Sequence, residues 1–215
     1  MGIFLKILNY NSEFFYLNSI PLYTGIQKRI VNLRRKGPKT PPASDLTDYQ
    51  KEVIFGSMLG DLTAERTHFK GNTRLRFYMS LKNKKLIYHL YSIFKQYVKT
   101  EPKIYNRKLN NLTKGLHKDI GFSTLKYTYF NWVNEEFYVK LNNKNIKILP
   151  KNSYLRLTPV SLAYWIMVDG SFNKAKGYLV LCTDSFSKVE VLHLISILEN
   201  KFNLSCALFE LKTKK

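Results

Sequence analysis

Two apolar helices of one design, each ending in an aspartate, constrain this chain more than any other feature. The second copy is the cleaner, with Leu157 to Phe172 reading LTPVSLAYWIMVDGSF. Thr158 is a good N-cap, and Pro159 falls at the first helical position, where its missing N–H costs nothing. Leu162, Ala163, Trp165, Ile166 and Met167 cover most of the circumference, so burial nearly all round is expected. Gly170 stops the helix. Asp169 then stands at a helix C-terminus, where partial negative charge disfavours a carboxylate by about 0.3–1 kcal/mol. Burial adds to that cost unless a cation or a metal offsets it.

The first copy, Leu46 to Glu65, reads LTDYQKEVIFGSMLGDLTAE. Thr47 and Gln50 make a capping-box pair. Val53, Ile54, Phe55, Met58 and Leu59 form the apolar body, and Asp61 stands where Asp169 stands. Gly56 and Gly60, four apart, leave one helix face as bare backbone. A glycine inside a helix costs about 1 kcal/mol relative to alanine, so the pair predicts a partner helix in close approach.

The elements that follow repeat. His89-Leu-Tyr-Ser-Ile-Phe94 matches His193-Leu-Ile-Ser-Ile-Leu198 at an offset of 104, while the aspartates are 108 apart. The loop after the motif helix absorbs the difference cheaply. Arg74 to Ser80 alternates as a strand, with Arg74, Arg76, Tyr78 and Ser80 on one face and Leu75, Phe77 and Met79 on the other. Lys84 to Val98 is helical by its spacing. Lys103 to Lys108 resumes a strand with Lys103, Tyr105 and Arg107 on one face. A turn through Asn110–Gly115 leads to a strand His117–Ser123 and a helix Tyr127–Phe137. Leu141 to Asn152 is a polar connection between halves. Strand Tyr178–Thr183 and helix Ser187–Phe202, capped by Ser187 or Asp184, mirror the first half, and Ser205 to Lys212 begins another strand.

Three regions follow: 1–45 as a basic N-terminal arm and linker, 46–150 as the first repeat with its connection, and 151–215 as the second repeat. Before Asp45 the only acid is Glu13. An arm, a targeting segment and a remnant of an upstream coding fusion are all open readings of that region. Only 46 residues follow Asp169, so the second repeat lacks one strand and a closing helix unless another segment supplies them.

Lys and Arg number 35 against 15 Asp and Glu, a net charge of +20. Such an excess points to a polyanion, either nucleic acid or an anionic membrane. No run reaches the roughly 20 apolar residues that span a bilayer. Cys182 and Cys206 have no CxxC spacing, and the four histidines form no ligand pattern, which argues against zinc. Both cysteines sit in apolar, strand-like runs and read as core thiols. The bias toward Lys, Asn, Ile, Tyr and Phe is that of AT-rich codons, pointing to an organelle genome, the mitochondrial one foremost.

The two helices resemble the paired motifs of the LAGLIDADG homing endonucleases, in the single-chain, two-motif branch of intron-encoded endonuclease and maturase type. In that nine-residue motif the small residue is third and the acid eighth, giving Gly56 and Asp61. The second copy, SLAYWIMVDGS, has Tyr164 in place of the small residue, with Asp169 and Gly170 as in the family. Leu62 replaces the motif's last Gly, and Val168 replaces a frequent second acid. The resemblance runs from about Leu46 to the end of the chain.

It implies an α+β fold of two pseudo-symmetric αββαββα repeats under a saddle-shaped antiparallel sheet, the second repeat incomplete. Gly56, Gly60, Ala163 and Tyr164 would pack the helices together. Asp61 and Asp169 would be metal ligands, assisted by the backbone carbonyls of Gly60 and Val168. Two adjacent carboxylates repel unless cations sit between them, and Mg²⁺ or Mn²⁺ would serve as cofactor. Lys147, in the linker three residues before Pro150, would act near the attacking water, with Lys144 and Lys151 as alternatives. Arg74, Arg76, Tyr78, Lys103, Tyr105, Arg107 and Tyr178 would contact DNA. The implied function is site-specific, divalent-metal-dependent cleavage of double-stranded DNA by a monomer, leaving the staggered break of intron homing. The alternative is an RNA-binding intron maturase or a catalytically inactive truncated relative.

Overall fold

The computed structural model describes residues 2–8, 45–68, 70–106, 118–142 and 144–211. Two helices at its centre carry the two motifs: α1 (Asp48–Leu59) and, much later in the chain, Pro159–Asp169. The capping predicted for α1 is present, with the Thr47 side chain accepting from the Gln50 backbone and the Gln50 side chain accepting from the Thr47 N–H. The two helices pack on each other along their lengths. At Gly56 an added Cβ would stand 2.0 Å from the carbonyl oxygen of Ser161, so the close approach predicted from the glycine spacing is real and is backbone against backbone.

The first half continues as β2 (Thr63–Glu65), β3 (Arg74–Ser80), α2 (Lys84–Phe94), β4 (Lys103–Asn106), β5 (Lys118–Ser123) and α3 (Asn131–Phe137). Short 3₁₀ turns, Lys95–Tyr97 and Thr128–Phe130, finish α2 and open α3, so both predicted helices are shorter than their periodicity suggested. The strands form one antiparallel sheet in the order β2-β3-β5-β4. Leu75, Phe77 and Met79 face the core, where Phe77 stacks on Phe94 of α2 and on Phe122 of β5.

A hairpin, β6 (Tyr138–Leu141) and β7 (Lys144–Lys147), follows α3 and reaches into the predicted polar connection, with Tyr138 opposite Lys147. Its turn places Asn142 at φ 48°, a left-handed conformation that asparagine tolerates better than most residues. A short helix, α4 (Ser153–Arg156), leads into α5 (Pro159–Asp169), whose N-cap is Thr158 as predicted. Then come β8 (Gly170–Asn173), β9 (Tyr178–Cys182), α6 (Lys188–Phe202) and β10 (Cys206–Leu211). Ser187 caps α6 in a capping box with Glu190. The burial expected all round α5 is incomplete: Met167 is 39% exposed, because one flank of the helix lies outside the core.

The N-terminal reading needs correction. Residues 2–7, assigned above to an arm, form β1 (Gly2–Ile7), an internal strand of the second sheet, whose order is β10-β1-β9-β8. Phe4 stands opposite Cys182 on β9 and opposite Phe209 on β10. Leu5 and Ile7 are buried, and Ile3 is packed against the core. In the first sheet β5 lies between β3 and β4; β1 takes the same place between β9 and β10. Each half therefore carries a four-stranded sheet of like topology, and the strand expected to be missing comes from the opposite end of the chain. The signal is faint in sequence because a six-residue strand pairs with partners more than 170 residues away. The rest of the proposed arm lies outside the described residues.

Cys182 on β9 and Cys206 on β10 are free thiols, half-buried, with β1 between their strands. Among the described residues, no helix is long and apolar enough to cross a membrane.

Candidate active site

The aspartates reach one place because their helices do. Asp169 is the last residue of α5; Asp61 lies two residues beyond α1, past its C-cap, Gly60. The helix ends differ by those two residues, so the two motifs are not strictly superposable there. A Cβ on Gly60 would lie 2.9 Å from Cβ of Asp169 and 3.4 Å from Cγ1 of Val168. Gly60 thus lets the second aspartate lie directly against the end of the first helix. Val168, in the place of an acid, is buried there.

Lys147 completes the group. The hairpin β6–β7 ends on it, and its Nζ donates to the carbonyl oxygen of Gly60 at 2.7 Å. Lys144, at the start of β7, and Lys151 are exposed. Burial pushes the ammonium of Lys147 down to about 8, against the pull of Asp61 and Asp169, whose charges favour its protonated form. Burial likewise raises the carboxyl of Asp61, while Lys147 lowers it. Asp169 is pushed up to about 7, first by burial, then by the charge of Asp61, with Asp184 adding to the rise and Lys147 opposing it. Asp61 is therefore close enough to disfavour the ionisation of Asp169, and the cation that opposes the rise of both acids is Lys147, from the linker.

An oxygen-seeking divalent cation fits this donor set. Hard cations with few protein ligands take one or two carboxylates and fill the rest of their shell with water or phosphate. The Gly60 carbonyl, expected to assist, already accepts from Lys147, so its second lone pair is what remains for a metal.

At the other end of the motif helices, Tyr164 fills the position of the motif's small residue. Its ring is fully buried, and its hydroxyl meets Tyr49 Oη of α1 and His89 Nε2 of α2, each at 2.7 Å. Burial holds the His89 imidazole below its ordinary value. The residue departs from the motif without disturbing the seam at Gly56, because that glycine faces Ser161 instead. Ala163 is half-buried.

The residues expected to contact DNA lie on the sheet faces turned away from the core. Arg74, Arg76 and Tyr78 of β3 share that face with Lys103 and Tyr105 of β4, whose rings and charges are exposed or half-buried. Arg76 sits over the Tyr78 ring at 5.0 Å, and Tyr78 and Tyr105 are 5.3 Å apart. The sequence reading missed Glu65 of β2. It pairs with Arg74 at 2.9 Å and with Arg76 at 3.0 Å, and Arg74 holds its carboxyl below the usual range. Both arginines thus arrive pre-positioned and half-neutralised. Tyr178 lies on the second sheet, with Lys6 Nζ 3.7 Å from its ring centre. Arg107 lies outside the described residues.

The sequence profile of the LAGLIDADG DNA endonuclease family matches residues 51–215. The chain is 33% identical to a protein named probable intron-encoded endonuclease 1 of Wickerhamomyces canadensis, over 85% of this chain and 83% of that one. It is 36% identical to the cytochrome b mRNA maturase bI2 of Saccharomyces cerevisiae and 34% identical to that of Debaryomyces hansenii. Those matches cover 71% and 75% of this chain but only 36% and 62% of the maturases, so the chain spans about a third to three-fifths of their length. Among solved structures, the homing endonuclease I-WcaI bound to its DNA recognition sequence superposes with a TM-score of 0.66 at 33% identity, over 76% of this chain and 72% of that one. Two glycine-seamed helices that deliver paired aspartates beneath two antiparallel sheets, together with these matches, place the chain in the LAGLIDADG DNA endonuclease family.

Proposed function

We propose that this protein is a site-specific, divalent-metal-dependent endonuclease that cuts double-stranded DNA at an intron-insertion site. The observation that carries the reading is the meeting of Asp61, Asp169 and Lys147 at the joined ends of α1 and α5. Asp61 and Asp169 would hold Mg²⁺ or Mn²⁺, with the Gly60 and Val168 carbonyls adjacent. Bound there, the metal would supply charge neutralisation for the paired acids and a polarised water for in-line attack at phosphorus. Lys147, with an ammonium already near neutral pH, would hand protons to and from water at Nζ while its bond to Gly60 holds it in place. One acid for each DNA strand gives a staggered double-strand break.

Arg74, Arg76, Tyr78, Lys103, Tyr105 and Tyr178 would lie against DNA, and the net charge of +20 favours it. Phosphate contacts position such a complex and base contacts specify it. Pseudo-twofold halves within one chain support action as a monomer. The relatives' names, cytochrome b mRNA maturase and intron-encoded endonuclease, support a mitochondrial setting. The same names support a second reading, RNA binding in splicing, since the basic surface serves either polyanion.

The test is incubation of the full chain with circular DNA bearing the host gene's uninterrupted insertion site, in Mg²⁺ and in EDTA. Mg²⁺-dependent linearisation, absent in EDTA, is the expected result. No cutting, with tight binding of the intron RNA, would move the assignment to maturase.

A further inference from the structure

We infer that β1 is a DNA-reading strand and that Lys6 contacts base edges in the half-site beneath the second sheet. This rests on the proposal that the sheets lie on DNA. Residues 2–7 fall outside the family match, which begins at residue 51. Yet β1 is internal to the sheet, and its side chains alternate: Leu5 and Ile7 go to the core, while Phe4 and Lys6 go to the opposite face.

Register identifies that face. Lys6 stands opposite Val180 on β9 and Ala207 on β10, and Phe4 opposite Cys182 and Phe209. These residues and Tyr178 occupy the side turned away from buried Leu179 and Leu181, as Arg74, Arg76 and Tyr78 do in the first sheet. By pairing, Phe4 and Lys6 take the places of Gly121 and Ser123 of β5.

Charge then singles out one residue. The first sheet offers Arg74, Arg76 and Lys103 on this face. On the strands of the second sheet, Lys6 is the only Lys or Arg. It is held over Tyr178, with Nζ 3.7 Å from the ring centre, and among the described residues it donates no hydrogen bond to an acceptor. An ammonium propped on an aromatic ring in the middle of a sheet suits the acceptors of a guanine edge in the major groove. Phe4 and Phe209, stacked at 5.3 Å, flank it with an apolar patch.

The test uses the full chain and a randomised double-stranded DNA library, selected in EDTA so that binding is read without cutting. Three variants are compared with the wild type: Lys6→Met, Lys6→Arg and Arg76→Met. Expected is a roughly tenfold weaker affinity for Lys6→Met, equivalent to about 1.4 kcal/mol, with base preference lost at adjoining positions on one side of the site. Arg76→Met should lose preference on the other side, and Lys6→Arg should recover affinity.

Unchanged affinity and preference for Lys6→Met, with Arg76→Met impaired, would overturn the inference and leave the endonuclease reading standing. So would a uniform loss with no change of preference, which marks a phosphate contact. A loss that Lys6→Arg does not recover would mean a structural role. No effect from either Lys6→Met or Arg76→Met would remove both the inference and the sheets as a DNA surface.

Discussion

Lys147 Nζ donates to the Gly60 carbonyl oxygen across 2.7 Å, joining the linker between the two halves to the end of the first motif helix. The bond puts a half-buried lysine beside the two aspartates, and burial depresses its ammonium to about 8. Lys147→Met keeps the apolar stem and removes the proton donor and acceptor. Positioned acid–base groups contribute about 10²–10⁴-fold to rate, so cleavage should slow within that range while DNA affinity stays within a few-fold. The wild type should also show a rate rising through about pH 8 that the variant lacks. Single-turnover cleavage at several pH values, beside a binding titration, checks both parts; equal loss of binding and cutting would make Lys147 a structural strut.

Asp169 carries the higher cost of the two acids, since its carboxyl is pushed up to about 7 by burial and then by Asp61. Asp169→Asn removes that repulsion with little change of shape. Cleavage should be abolished, yet the metal-free protein should melt at a higher temperature than the wild type. Calorimetry in EDTA measures this, and a lower melting temperature would mean that the carboxylate holds the helix end together. Asp61→Asn should follow the same pattern more weakly.

Stability should depend on pH through both groups. Asp169, raised from its ordinary 3.8 to about 7 in the folded state, stabilises the fold while it is protonated. That contribution is full below about pH 4 and is lost as pH rises through 7. Lys147, depressed from 10.5 to about 8, contributes above its ordinary value and loses that contribution as pH falls through 8. Their joint support is therefore weakest between pH 7 and 8. A divalent cation needs the ionised carboxylates, so the melting shift produced by Mg²⁺ should be larger at pH 8 than at pH 6. Differential scanning at those two values decides it; an equal or smaller shift at pH 8 would place the metal elsewhere.

The helix seam makes a sharper demand. A Cβ at Gly56 would stand 2.0 Å from Ser161 oxygen and 2.9 Å from its Cα, and backbone cannot swing aside as a long side chain can. Overpacking typically costs about 1–3 kcal/mol and on occasion more. Gly56→Ala should lie at or beyond the upper end of that range, and because the seam aligns the acids it should also reduce cleavage. Chemical denaturation and activity are read on one preparation, and wild-type stability would mean that the helices separate at little cost.

Much of this was legible in sequence because it is local. Thr47 with Gln50, Thr158 and Ser187 cap their helices through neighbours within three residues, and Leu75, Phe77 and Met79 alternate within one strand. The glycine spacing of α1 foretold a close partner because a missing side chain has few other uses inside a helix. What stayed hidden depends on distant pairing. The hairpin that delivers Lys147 leaves Val139, Leu141 and Ile146 exposed, so its apolar residues do not mark a face turned to the core, and its turn rests on Asn142. Glu65 looked like the tail of a motif until β2 laid it beside Arg74 and Arg76.

The strand β1 is the largest of these surprises, and its energetics can be tested directly. Leu5 is fully buried, between the core-facing Leu181 of β9 and Leu208 of β10 in the register. Truncating a buried leucine to alanine costs about 2–5 kcal/mol. Leu5→Ala should therefore lose stability in that range, while Phe4→Ala, on the outer face, should lose much less. An N-terminal arm outside the fold would show neither loss. Equilibrium unfolding of the two variants against the wild type separates the cases. A stability equal to wild type for Leu5→Ala would return residues 2–7 to the status of an arm and leave β10 without its link to β9.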